Sequence, residues 1–183
     1  MRPYPKEWER SATLQDGTAV KIRPVRPEDE RLYAGFFARV TSEDLRLRFF
    51  APMKEFSPAF VARLTHLDYS RAMAFVALDQ ASGELLGVVR LHAGSEAETG
   101  EYAILVRSDL KGRGLGWVLM QTIAEYARGS GFRRIEGQVL RSNTTMLTMC
   151  REFGFVVQSD PRDPEIAVVR LDLVGSAQIP PRD

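Results

Sequence analysis

The chain has 183 residues, 44% hydrophobic and 27% charged, which is enough for one domain with a full core and too few for two. Its 25 basic and 24 acidic side chains leave a net charge of +1, which argues against a general nucleic-acid binder. No apolar stretch reaches membrane-spanning length and no signal peptide precedes the first charges, while a lone Cys150 and two histidines offer neither a disulfide nor a metal cluster. The expectation is a cytoplasmic, metal-free domain without nucleic-acid or membrane partners.

Residues 1–12 carry two prolines and mixed charge without periodicity, and read as an arm or linker remnant. The domain proper is expected over 13–174, with a flexible tail over 175–183. Gln15 to Thr18 is a turn before a strand around Ala19 to Arg23. Pro27-Glu28-Asp29 opens a helix whose apolar face runs through Leu32, Phe36, Phe37 and Val40. Ser42 caps a second helix through Leu45 to Phe50, and Ser57-Pro58 a third with Phe60, Val61 and Leu64 inward. Phe36, Phe37, Phe49 and Phe50 are expected to pack this helical layer, an acceptor-binding lip being the alternative.

The pattern then turns strand-like. Ala72 to Leu78 and Glu84 to Ala93 flank a glycine-containing hairpin loop, and an acidic loop leads to a strand from Glu101 to Val106. A glycine-rich turn, a long helix ending near Gly131, a strand from Arg134 to Leu140 and a helix from Asn143 to Phe153, closed by Gly154, follow. Phe155 to Gln158 and Ile166 to Leu173 form a last strand pair. The order predicts an α/β (α+β) domain: a mixed, mostly antiparallel sheet of six or seven strands with helices on both faces.

Lys111-Gly112-Arg113-Gly114-Leu115-Gly116 is the most informative stretch. A strand, a basic glycine turn and a helix in that order gather backbone N–H groups and a positive dipole end at one point, a socket for phosphate. The Walker A spacing fails because no Gly-Lys-Ser/Thr follows. The dinucleotide fingerprint fails because Leu119 stands where its third small residue belongs. A helix start with no ligand is the bland alternative.

The turn resembles the basic/Gln-x-x-Gly-x-Gly pattern of the GNAT superfamily of acyl-CoA-dependent N-acetyltransferases, with Lys111 in the first position and Gly114 and Gly116 as the glycines. Asn143, eleven residues before Gly154-Phe155, is similar to the family's second motif. Asp16-Gly17-Thr18, Ile22 to Asp29, Arg48-Phe49-Phe50 and Asp68-Tyr69 look like the acetyltransferase domain of Pat-type bacterial protein lysine acetyltransferases. In that group the domain is often fused behind an NDP-forming acyl-CoA synthetase-like region, and Arg2 to Lys6 resembles the join. A C-terminal piece of a longer chain and a free-standing domain both fit.

The resemblance implies the GNAT fold with a splayed central strand pair, and acetyl-CoA as cosubstrate. The N–H groups of Gly112, Arg113, Gly114, Leu115 and Gly116 would hold its diphosphate, with Lys111 and Arg113 adding charge. The pantetheine arm would lie along Ile104, Leu105 and Val106 like an added strand. A backbone N–H near Leu105 or Val106 would face the thioester oxygen, and Asn143 is a CoA or water ligand, a helix cap, or both. Glu101 is the candidate base, followed by an apolar run placed to desolvate it in part, with Glu96 and Glu98 as rivals. Many small-amine members have a tyrosine acid seven residues after the Asn, where this chain has Cys150. Cys150 reads as core, with a ping-pong nucleophile as the minority alternative. Trp117 is expected to pack under the loop, and Asp68-Tyr69 receive no role. The implied acceptor is a lysine on a protein, an acyl-CoA synthetase in the Pat-type group. A small-amine acetyltransferase and a non-catalytic acyl-CoA sensor are the rivals.

Overall fold

Alternation along strand β3 (Ala72–Asp79) shows why the sheet needs helices on both faces. Met73, Phe75 and Ala77 enter one core while Ala74 and Val76 enter another, the two-residue period of extended chain. The computed structural model describes residues 2–53 and 55–174. Its other strands are β1 (Arg10–Thr13), β2 (Ala19–Pro24), β4 (Leu85–Ala93), β5 (Thr99–Val106), β6 (Arg134–Leu140), β7 (Val156–Asp160) and β8 (Asp163–Asp172). Among the described residues they form one eight-stranded sheet in the order β1-β2-β3-β4-β5-β6-β8-β7. Neighbours are antiparallel except β5 and β6, which run parallel.

Helices α4 (Leu115–Gly129) and α5 (Thr144–Phe153) bury Leu119, Met120, Ile123, Leu147 and Phe153 with Ile22 and Phe75. Helices α1 (Glu30–Ala38), α2 (Ser42–Phe49) and α3 (Pro58–Thr65) cover the other face, where Tyr33, Phe36 and Phe37 meet Val76 and Val88. Burying a large apolar side chain stabilises by about 1.5–3 kcal/mol, so this two-sided core supplies most of the driving force.

The mixed, mostly antiparallel sheet is as expected, with eight strands rather than six or seven. The additional strand is β1, in the segment read as an aperiodic arm. Its four residues pair with β2, and just before it Trp8 packs edge-on against Phe75 at 6.2 Å and Tyr126 at 5.2 Å. The expected tail over 175–183 lies outside the described residues. Thr41, rather than Ser42, caps α2 by accepting the Asp44 N–H at 3.1 Å, and Ser57 caps α3 as expected. Phe36 and Phe37 are buried and Phe49 packs beside them, whereas Phe50 is exposed.

The Ile22 to Asp29 motif has a structural explanation. Arg23 donates to both Asp29 carboxylate oxygens at 2.7 and 2.8 Å, and the Arg26 N–H donates to the same carboxylate at 2.8 Å. Both partners of the ion pair are buried, so removing one would strand the other's charge at a cost of about 3–5 kcal/mol. Tyr69 donates to the Val25 carbonyl at 2.6 Å, and Asp68 accepts from the Ser70 N–H and hydroxyl, closing the turn before β3.

The parallel pair positions the site. β5 and β6 stay together only at Thr99↔Arg134, Gly100↔Ile135 and Glu101↔Glu136. At the next position the Tyr102 ring lies across Gly137, where a Cβ would stand 2.5 Å from the ring's Cε1. Beyond it each strand keeps its outer partner: β5 pairs with β4 to Val106↔Gly87, and β6 with β8 to Leu140↔Ile166. The inner edge of β5 from Tyr102 to Val106 therefore has no strand beside it. Gly137→Ala should destabilise the fold by about 1–3 kcal/mol through overpacking. Urea midpoints should show that penalty shrinking when Tyr102→Leu is combined with it, because the colliding ring is gone.

Candidate active site

The parting of β5 and β6 opens a cleft of about 1090 Å³. One wall is β5, with Ile104, Leu105 and Val106, and the other is β6 and the start of α5, with Asn143. Lys111, Gly112, Gly114, Leu115 and Gly116 close one end, and Glu101 stands near the last paired residues. Of the residues the resemblance assigns to catalysis or to coenzyme A, all but Arg113 line this cleft.

At the glycine end, Gly112 and Gly114 have φ of 80° and 89°, a left-handed conformation in which side-chain-bearing residues are strained. Gly114 is the N-cap of α4, and the first helical N–H groups have no intrahelical acceptor. Val118 is the first to find one, the Gly114 carbonyl at 3.1 Å. The N–H groups of residues 115–117 and the helix dipole thus converge where the sequence anticipated an anion.

The loop's side-chain charge is used differently from expectation. The Lys111 ammonium pairs with the buried Asp44 carboxylate, which also accepts from the Ser108 hydroxyl. Burial pushes Asp44 up, but Lys111 and Ser108 outweigh it and hold the carboxyl below its ordinary range. Arg113 turns outward to Asp16 at 2.8 Å. Backbone dipoles, more than these two side chains, make the loop attractive to an anion.

Glu101 stands opposite His92 in the β4–β5 register, with His92 Nε2 3.1 Å from Glu101 Oε2. The Glu101 side chain is 41% exposed. The next side chain, Tyr102, goes through to the other face. Glu96 also lines the cleft and lies near Arg134 at 3.5 Å, whereas Glu98 pairs loosely with Arg133 at 3.8 Å away from it. Among the described residues no group of three or more His, Cys, Asp or Glu is placed to hold a metal ion, and no helix is long and apolar enough to cross a membrane.

A splayed parallel pair, a glycine loop at its mouth and an acid at its vertex form one arrangement, and the model of the acetyltransferase (GNAT) family matches residues 40–155. The chain belongs to the GNAT acetyltransferase family. It is 38% identical over 163 residues to an acetyltransferase of Pseudomonas aeruginosa, covering 88% of each chain. With the acetyltransferase Pat of Mycolicibacterium smegmatis it shares 29% over 144 residues, which is 78% of this chain and 43% of that protein. The crystal structure of the GNAT domain of S. lividans PAT superposes with a TM-score of 0.85 at 29% identity, over 93% of this chain and 99% of that one. A cAMP-binding acyltransferase from Mycobacterium smegmatis gives 0.62 at 26% identity, over 94% of this chain and 49% of that one. The chain thus spans about half of these two longer mycobacterial proteins. As a GNAT enzyme it is an acyl-CoA-dependent N-acetyltransferase with acetyl-CoA as cosubstrate.

In this GNAT domain Asn143 caps α5, its carboxamide oxygen accepting the Met146 N–H at 3.2 Å, while it also lines the cleft. Trp117 lines the cleft and meets the Phe153 ring in a tilted contact, with centroids 4.9 Å apart. Sequence reasoning passed over His92, Tyr102 and Asp44. Only the hairpin register places His92 opposite Glu101, and only the opposition of an aromatic to Gly137 marks Tyr102. Cys150 is buried, with its sulfur 3.2 Å from the Tyr102 hydroxyl. Burial pushes its thiol up to about 11, more than Tyr102 offsets, and drives Tyr102 itself well above the ordinary phenol range. A thiol of that acidity is a poor nucleophile at neutral pH. Alkylation by iodoacetamide at pH 8 should therefore be at least about 100-fold slower on native protein than on the urea-unfolded chain, followed by mass spectrometry.

Proposed function

We propose that the chain transfers the acetyl group of acetyl-CoA directly to a lysine side chain on a protein, an acyl-CoA synthetase being the acceptor. The observation that carries this reading is the unpaired inner edge of β5, which runs from near Glu101 to the glycine loop. Backbone groups of Ile104, Leu105 and Val106 would hold the pantetheine amides as a neighbouring strand would. N–H groups of residues 112–116 and the α4 dipole would hold the diphosphate, with Asn143 at the opposite wall. A β5 N–H at Leu105 or Val106 would stabilise negative charge on the thioester oxygen. The Pat-type resemblance and the likeness to the S. lividans PAT domain favour a protein acceptor.

A lysine amine has a pKa near ~10.4 and is almost wholly protonated at neutral pH, so a proton must leave before it attacks. Glu101 is the acceptor for that proton, and His92 at 3.1 Å is a positioning residue for the carboxylate. The nitrogen then bonds to the thioester carbon as the carbon–sulfur bond breaks, and the sulfur departs with the electron pair. Direct transfer needs no protein nucleophile, in keeping with the buried, protonated Cys150.

The test is incubation with labelled acetyl-CoA and an acyl-CoA synthetase from the same source. Glu101→Gln should lower labelling by about 100-fold or more while calorimetry shows coenzyme A still bound. Unchanged labelling would remove Glu101 from the mechanism, and absent affinity for coenzyme A would sink the reading as a whole.

A further inference from the structure

Two guanidinium groups stand on the Glu101 side of β5 without an acid to pair with among the described residues. Arg90 on β4 lies opposite Ala103, two residues from His92 on the same sheet face, and donates to the Leu64 carbonyl at 2.9 Å. Arg48 on α2 makes neither a hydrogen bond nor an ion pair among the described residues, and its guanidinium lies 4.6 Å from the centre of the Phe49 ring. Burial, with the charge of Arg90 beside it, pulls Arg48 down to about 10, and burial also lowers Arg90. Elsewhere a sequestered arginine is answered by acids: Arg107 has Asp109 and Glu84, and Arg23 has Asp29.

Tyr33 stands beside the pair. Its hydroxyl is the one buried side-chain polar atom among the described residues that lacks a hydrogen-bond partner. The acid that acts on it electrostatically, Asp29, is held by Arg23 in a two-pronged contact. Tyr33, Arg48 and Arg90 line one hollow of about 20 Å³ beneath the helical layer, walled by Phe36, Phe37 and Val88. Ala103 and Leu105 of β5, together with Arg48 and Phe49, line both this hollow and the cleft. The space admits about one water, so any anion entering it must displace side chains, and a flat carboxylate displaces less than a tetrahedral phosphate. A carboxylate also has lone pairs enough for two guanidinium groups and a phenol together.

We propose that Arg48, Arg90 and Tyr33 form a carboxylate pocket for the far end of the donor's acyl chain, so that the enzyme also takes CoA thioesters of short dicarboxylic acids. The donor is favoured over the acceptor because the hollow shares Ala103 and Leu105 with the strand assigned to the thioester arm, and its phenyl walls leave no room for a polypeptide. The inference rests on the acyl-CoA reading of the cleft. Bond changes are those of acetyl transfer: nitrogen bonds to the thioester carbon, sulfur leaves, and the distal carboxylate is carried over intact.

Butyryl-CoA and freshly prepared succinyl-CoA have four-carbon chains that differ only in a terminal methyl or carboxylate, and calorimetry compares them on the same protein. Wild type should bind succinyl-CoA about tenfold more tightly, the worth of one charge-assisted hydrogen-bond set. Arg48→Met and Arg90→Met should abolish that preference, and Tyr33→Phe, which removes only the hydroxyl, should weaken it a few-fold. Acetyl-CoA affinity in each variant reports on folding. A wild type that ranks the two thioesters equally overturns the inference, as does a preference that survives both arginine substitutions. Retained acetyl-CoA binding in those cases leaves the acetyltransferase reading standing, whereas loss of all thioester binding would fail both.

Discussion

The placement of the Tyr102 ring over Gly137 governs the rest of the molecule. Two parallel strands that begin in register would ordinarily continue, since each further pair satisfies backbone groups that are otherwise left to water or to a ligand. Here an aromatic side chain occupies the place of the fourth pair, after Glu101↔Glu136, and the residue facing it has no side chain to collide with. Each strand keeps its outer neighbour, so the sheet loses little cohesion while it gains a cleft lined on one side by unpaired main chain. The acid at the vertex and the glycine loop at the mouth are consequences of where β5 starts and ends.

A division of labour between main chain and side chains follows. At the loop, Lys111 and Arg113 are turned to Asp44 and Asp16, so anion attraction falls to N–H groups whose orientation the helix sets. Because Asp44 sits on α2 and Lys111 in the loop, their contact also ties the helical layer to the mouth of the cleft. That same helix carries Arg48 into the hollow behind β5. Three features separated in sequence thus share one rigid connection.

Most of the fold was legible because it depends on local pattern. The period-two runs of β3, β4 and β5, the cap at Ser57 and the closing Gly154 each announce themselves within a few residues. The glycine loop and the Asn143 to Gly154 spacing were legible for the same reason. Strand β1 was not, because four residues of mixed polarity acquire meaning only once β2 lies beside them. The partners of the candidate site were hidden by distance along the chain: Asp44 meets Lys111 across 67 residues, and Arg48 reaches Arg90 only after the helical layer folds over the sheet. How far Glu101 is covered was not legible, because the apolar residues after it alternate to both faces of the sheet.

Helix α4 carries one further consequence. The chain has two tryptophans, and they stand at opposite ends of this helix. Trp117 lies on the cleft wall in its first turn, while Trp8 touches Tyr126 and Gly129 in its last. Nine to twelve residues of helix separate Trp117 from the residues that Trp8 touches, about 15 Å along the axis. The molecule therefore contains two indole fluorophores, one reporting on occupancy and the other on the seam where the amino-terminal strand joins the sheet. Replacing either with phenylalanine would separate ligand entry from edge fraying in the emission of a single protein.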